Sequence, residues 1–439
     1  MFNLPKYGDG VCLARLAELL EALSIDRAKL RRCAVVVTGS NGKGSTAAFC
    51  AGIGRAFGLR TGLFTSPHLY RFNERFQING APIDDAALAD RVSRIETAIT
   101  RLPQRQSRGR FGAFEAQFAL ACLYFAEAEC DFMVFEAGIG GRYDPVRLLG
   151  APYSCVTSVD LEHVALLGHS LELIASDKSD ACASGGSIVY GENLQELRPH
   201  LQEYNRNRDV TGLFVRDQIG IDGEATTTSG QRFDFRFGRH DFRSLEIGLL
   251  GSFQFNNAAI AAALFLLWQG RARPDEPLGR IESAVRSGLR DTRWSGRLEV
   301  IRQQPLTIVD VGHTPDGIRQ SLASLKAIFG ADEWILVTGI SLDKNATEIV
   351  GALAPSFDTI ICTAAHHKGM DAASIAAAVR QANPEANVQI AASIEDAVEV
   401  SQRLAASQGR KIYVAGGLFL GVEYATVANG GRARDLNFF

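Results

Sequence analysis

Residues 35–46 read VVVTGSNGKGST. Three β-branched residues predict a buried strand, and the run of small residues around one lysine predicts a tight turn that opens a helix. A strand, a glycine-rich turn and a helix together make a phosphate cradle. Backbone N–H groups point inward, the helix N-terminus adds partial positive charge, and Lys43 adds a full one. The spacing is not the common G-x-x-x-x-G-K-[ST], because Gly44 separates Lys43 from the hydroxyl of Ser45. The competing reading is an ordinary glycine-rich turn with a solvated lysine.

Outward from this stretch, β-branched runs alternate with alanine-rich helical patterns: CAVVVT, a helix from about Lys43 to Phe57, TGLFTS, DFMVFEAG and YSCVTSV. Such alternation predicts a parallel sheet covered by helices on both faces. Gly220 to Arg243 breaks the rhythm with turn signals and period-two alternation, which predicts a small antiparallel patch. A second α/β rhythm runs from RLEVI and PLTIVDVG through EWILVTG, DTIICTA, NVQIAA and KIYVAGG, and predicts a Rossmann-like domain. SGLRDTRWSG, Ser287 to Gly296, reads as the linker, so the expected domains are 1–290 and 297–439.

Composition narrows the partners. Lys plus Arg number 46 against 49 Asp plus Glu, a net charge of -3 that offers no footprint for nucleic acid or anionic lipid. The opening MFNLPKYGDG has no basic segment followed by an apolar one, as a secretory signal would. Ile247 to Gly270 is the longest uncharged stretch, but Ser252, Gln254, Asn256 and Asn257 interrupt it. What remains is shorter than the roughly 20 residues a spanning helix needs, so it reads as a buried helix. The eight cysteines form no C-x-x-C pair and no zinc spacing, a cytosolic pattern. Small-molecule partners, with no nucleic acid and no membrane, are expected.

The loop variant resembles that of the Mur ligase superfamily, and later stretches narrow the likeness. FTSPHLYRFNERFQINGAPI (Phe64 to Ile83), FEAGIGGRYD (Phe135 to Asp144), SVDLEHVALLGHSLELIASDKSDA (Ser158 to Ala181), SGRLEV, VDVGHTPDG and VAGGLFLGVEYATV look like folylpolyglutamate synthase and dihydrofolate synthase segments, in the same order. The resemblance implies a P-loop ATPase domain followed by a Rossmann-like ligase domain. It also implies ATP-dependent amide formation: a carboxylate is phosphorylated, and the amine of an amino acid then attacks the acyl phosphate. Positioning and charge neutralisation would supply most of the catalysis.

Residue by residue, the resemblance implies that Asn41, Gly42, Lys43, Gly44 and Ser45 hold ATP together with Asn257, Arg297 and Asp310, although Phe253 replaces a histidine of the family pattern. Glu136, Ser45, Ser66 and His163 would hold one or two Mg²⁺ ions, and Lys178 aligns with a lysine that carries a carbamate. Lys43, His163, Lys178 and His313 would be catalytic, and Phe114, Glu115, Arg142, Asp144 and His313 would meet substrate. Lys344 matches a D-K motif, with a plain surface lysine as the competing reading. A monomer is implied.

The departures lie at the substrate ends. T-x-F-E becomes Gly112 to Glu115, L-D-A-T-N becomes Tyr143 to Arg147, H-N-P becomes His313, Thr314 and Pro315, and G-S-L becomes Gly416, Gly417 and Leu418. Lost hydrogen-bonding groups of this kind can shift specificity by orders of magnitude. Three functions stay open at this level: a folate and glutamate ligase, the same chemistry on another acid and amino acid, or a P-loop ATPase or nucleotide-binding protein without ligase activity.

Overall fold

The computed structural model describes Leu4, Gly10 and residues 12–102, 109–228 and 230–438; most of MFNLPKYGDG lies outside them. Ala34–Thr38 is buried at every position. It pairs in parallel with Phe132–Glu136 on one side and Tyr153–Val156 on the other. Its side chains divide between two cores, Val35 and Val37 on one face and Ala34 and Val36 on the other. That is why Ala34 to Val37 are apolar without alternation.

The sheet has eight strands in the order Ala81–Pro82, Phe76–Ile78, Thr61–Phe64, Phe132–Glu136, Ala34–Thr38, Tyr153–Val156, Ser187–Tyr190 and Thr211–Phe214. The two strands at the Ala81 edge are antiparallel, joined through Asn79 and Gly80 at φ 52° and 81°, as an Asn-Gly hairpin turn requires. Ile219–Thr227, Gly230–Phe237 and His240–Ile247 form the expected antiparallel patch as a sheet of three strands. Phe253–Ala272 is a helix buried in the same core as that patch. Among the described residues, no helix is long and apolar enough to cross a membrane.

The helix Lys43–Ala56 packs closely against Leu278–Asp291. A Cβ added at Gly288 would lie 2.4 Å from the Ile53 Cα, so the two backbones touch. This corrects the linker expectation. Ser287 to Asp291 belong to the helix, because Gly288 and Leu289 face the core; the connection is only the few residues from Thr292 onward.

A third sheet follows in the order Glu299–Gln303, Leu306–Asp310, Lys411–Ala415, Trp334–Thr338, Thr359–Cys362 and Asn387–Ile390. It is parallel except for Glu299–Gln303 at its edge. The carboxyl edges of the two large sheets face each other. The Thr314 hydroxyl reaches the Asn41 Oδ1 at 3.2 Å, and a Cβ at Gly296 would meet Leu69 and Val311 together. Ligands of open α/β sheets bind at such carboxyl edges.

Candidate active site

The phosphate loop is braced from the neighbouring strand connection. Ser40 N–H donates to the Ser158 carbonyl at 2.9 Å, Asn41 N–H to the Ser158 Oγ at 2.9 Å, and the Thr157 hydroxyl to the Asn41 carbonyl at 2.6 Å. Gly42 stands at φ 84° as the cap of the helix Lys43–Ala56, and a Cβ there would lie 2.4 Å from the Asn257 Oδ1. The glycine is therefore demanded twice, by backbone conformation and by the close approach of Asn257. Asn257 donates to Gln254, which donates to the Ser45 hydroxyl, so one helical face underpins the loop. Gly44, the residue that spoils the common spacing, lets the Trp294 indole lie against the helix; a Cβ would meet its Nε1 at 2.9 Å. Lys43 Nζ donates to the carbonyls of Gly39 and Ser40 at 2.8 and 3.0 Å, folded back over its own loop.

Glu136 ends its strand beside this loop, buried, and its Oε2 accepts from Ser66 N–H at 3.0 Å. Burial pushes the carboxyl up to about 7, against the opposing pull of Lys43, Arg297 and Arg75. Lys178 is also buried, with 1 % of its surface exposed, and pairs with Glu162 at 2.8 Å. Burial lowers the Lys178 amine from its ordinary value, with Glu162 opposing and Lys43 assisting. Burial acts on Glu162 in the upward direction, but Lys178 and Lys43 overcome it and hold the carboxyl at about 2. Glu162 is a site residue the sequence reading passed over, although it directly precedes His163 in DLEH.

His163 is exposed, in a left-handed conformation at φ 47°. Partial desolvation lowers its imidazole, Glu162 opposes this, and Lys178, Lys344 and Lys43 add to the lowering. His313, from the second large sheet, is open to solvent yet surrounded by protein at the mouth of the cleft. Desolvation, then Lys344, Arg297 and Lys43, push it down to about 4. Lys344 thus belongs to the cleft's positive field. Asp310 holds the cleft wall in shape, accepting from Gly312 and Leu298 N–H at 2.8 and 3.1 Å.

The expected substrate residues divide. Phe114 packs over the glycine loop, close enough that a Cβ at Gly138 would meet its ring at 2.7 Å. Glu115, Arg142 and Asp144 instead have their polar atoms engaged by protein. Glu115 pairs with Arg15 at 2.6 Å and accepts from Gly112 N–H. Arg142 donates to Asp180 and Tyr204, and Asp144 accepts from Gly138, Ile139 and Val146 N–H. Arg142 and Asp144 shape the loop between Gly138 and Val146, while Glu115 caps the helix Ala113–Glu127 that carries Phe114. Thr314 caps the helix Pro315–Phe329 by accepting from Gly317 N–H, a capping role its hydroxyl fills well.

Among the described residues, no group of three or more His, Cys, Asp and Glu side chains is gathered as a metal site. The expected donors are one carboxylate, one imidazole and two hydroxyls. That set suits an ion held mainly by phosphate oxygens and water, as Mg²⁺ usually is, and not by a dedicated protein cage.

Residues 296–418 match the family described as Mur ligase, glutamate ligase domain. Folylpolyglutamate synthase of Lacticaseibacillus casei is 33% identical over 358 residues, covering 82% of this chain and 81% of the relative. Dihydrofolate synthase/folylpolyglutamate synthase of Bacillus subtilis is 30% identical over 350 residues, covering 79% and 80%. Among solved structures, Mycobacterium tuberculosis folylpolyglutamate synthase complexed with ADP superposes with a TM-score of 0.86 at 26% identity, covering 96% of this chain and 95% of that one. The phosphate loop, the opposed sheet edges and these likenesses together establish that the chain belongs to the folylpolyglutamate synthase/dihydrofolate synthase family of Mur ligases and is an ATP-dependent amide ligase.

Proposed function

We propose that the chain joins glutamate to a folate-type carboxylic acid, with residues 1–290 binding ATP and 297–439 completing the site. The observation that carries this reading is the convergence on one cleft of Lys43, Glu136 and Lys178 from one side with Arg297, His313 and Lys344 from the other. Lys43 leaves the carbonyls of Gly39 and Ser40 to take ATP phosphate, alongside the loop's N–H groups and the helix N-terminus. Asn257 fixes the loop, and Arg297 and Asp310 bring the second domain onto the nucleotide. Domain approach keeps water from the acyl phosphate.

Glu136, Ser45, Ser66 and His163 would hold Mg²⁺, whose chemistry is to neutralise charge on the transferring phosphoryl group. Burial favours the neutral Lys178 amine that carbamylation needs, and Glu162 must release that amine for the modification to occur. His313, neutral at physiological pH, accepts a hydrogen bond from the incoming amine. Phe114 contacts the acid, while Arg142 and Asp144 maintain the glycine loop it packs over and Glu115 caps the helix that carries it. The enzyme works as a cytoplasmic monomer.

ADP release across a matrix of acids and amino acids tests the proposal, starting from dihydropteroate or tetrahydrofolate with glutamate. Release that requires both a folate acid and glutamate is expected. Release with neither, or only with an unrelated acid, refutes it.

A further inference from the structure

The loop between Thr65 and Arg75 leaves the first large sheet at Phe64 and passes directly over the site. Its Ser66 N–H binds Glu136. The Glu74 carboxylate gathers the N–H groups of Leu69, Tyr70 and Arg71 at 2.9, 3.1 and 2.8 Å, which makes the loop a rigid unit. Leu69 and Tyr70 pack into the core built around Val309 and Val311, so the loop spans both halves of the protein.

At the centre of this loop lies His68, buried, with both ring nitrogens engaged. Arg75 Nε donates to its Nδ1 at 2.8 Å, so Nδ1 is the acceptor and the proton sits on Nε2. Nε2 then donates to the Asn437 carbonyl at 3.2 Å. The segment carrying Asn437 is itself anchored, because Phe438 is buried against Phe419 and His367 with ring centroids 4.8 and 5.1 Å apart. From its other side Arg75 donates to the Gln117 Oε1 at 2.8 Å, on the helix that carries Phe114, and its cation acts on Glu136. A continuous hydrogen-bonded path therefore runs from Asn437 through His68 to Arg75, and on to Gln117 of the substrate helix.

We propose that His68 is a positioning residue for the ligase reaction, holding Arg75 against Gln117 of the substrate helix when the segment around Asn437 is seated against it. The nucleotide loop has separate braces in Thr157, Ser158 and Gln254. Loss of His68 therefore acts on the carboxylic acid and leaves ATP binding nearly untouched. The inference rests on the acid and glutamate reading above.

The experiment compares His68→Leu and His68→Gln with the unaltered protein, each alone and combined with Arg75→Gln, using the folate acid and glutamate at saturating ATP and then varying ATP. His68→Leu loses both hydrogen bonds, one of them to a cation, and lowers kcat/KM for the acid by about tenfold or more while KM for ATP moves by less than about twofold. His68→Gln offers an oxygen to Arg75 and an N–H to Asn437, and recovers most of the loss. In the Arg75→Gln background, His68→Leu adds less than about twofold, since the residue it positions is gone. If His68→Leu cannot be purified folded, His68→Asn takes its place, because the shorter amide reaches one partner at a time and loses activity relative to His68→Gln. Equal activity of the substituted and unaltered proteins overturns the inference, as does full additivity with Arg75→Gln or an equal rise in KM for ATP. Absence of acid-dependent ADP release in the unaltered protein overturns the substrate reading instead.

Discussion

Glu136→Gln should stabilise the ligand-free protein at pH 8 while abolishing ligation. The Glu136 carboxyl rises from 4.5 to about 7, with burial as the main cause. A raised acid binds more protons in the native state than in the unfolded one between those values, so stability falls as pH rises across the window. At pH 8 the whole cost is present, and at about 1.4 kcal/mol per unit it comes to about 3 kcal/mol. Near pH 5 most of it is absent. Glutamine keeps an oxygen for Ser66 N–H and carries no charge, so it removes the cost without opening a cavity. Thermal unfolding of both proteins at pH 5 and pH 8 reads the difference, expected as a midpoint roughly 5 °C higher for the variant at pH 8 and nearly equal midpoints at pH 5. With Glu136 as the proposed Mg²⁺ ligand, magnesium and ATP at pH 8 should raise the unaltered protein's midpoint more than the variant's, because the ion would give the buried carboxylate a partner. A variant less stable than the parent at pH 8, or a gap that does not change with pH, would refute the reasoning.

Two further perturbations address the phosphate loop. Lys43→Ala should abolish acid-dependent ADP release and also lower the melting midpoint at pH 8, since its amine bonds the loop carbonyls of Gly39 and Ser40 and its charge offsets the burial of Glu136 and Glu162; turnover at the parent rate would remove the assignment. Gly42→Ala combines a left-handed backbone at φ 84° with a methyl 2.4 Å from Asn257, and should cost about 2 to 4 kcal/mol and weaken nucleotide binding; unchanged melting and unchanged affinity for ATP would mean that the loop relaxes freely.

The legible parts of the fold were those where one residue type repeats for one reason. Ala34 to Val37 is apolar because it is covered on both faces, and Ala258 to Trp268 because it is buried nearly all round. The stretch Ser287 to Asp291 misleads because its small and charged residues resemble a connection. Burial of Gly288 and Leu289 against another helix shows in the period, not in the composition. At the site, the placement of Lys43 and Glu136 at one edge of the sheet is readable, because each follows or ends a buried strand. That of Glu162 is not, since its importance comes from a cation 16 residues away in another element. The contact between His68 and Asn437 spans 369 residues and involves a backbone carbonyl, which no side-chain pattern announces. Asp144 and Glu115 have the right type for substrate contact, but nearby N–H groups and Arg15 engage them.

The hydrogen bond between Thr314 and Asn41 bears on how this enzyme can be recombined with its relatives. A chimera that takes its amino-terminal half from this chain and its carboxyl-terminal half from another ligase would cut through that pair. It would also separate Ser252 from the Ser324 hydroxyl it binds at 3.1 Å through its N–H. Halves exchanged at the short connection after Thr292 inherit a mismatched seam beside the nucleotide, however well each half folds. Productive crossovers must carry Asn41 with Thr314, and Ser252 with Ser324, as linked choices.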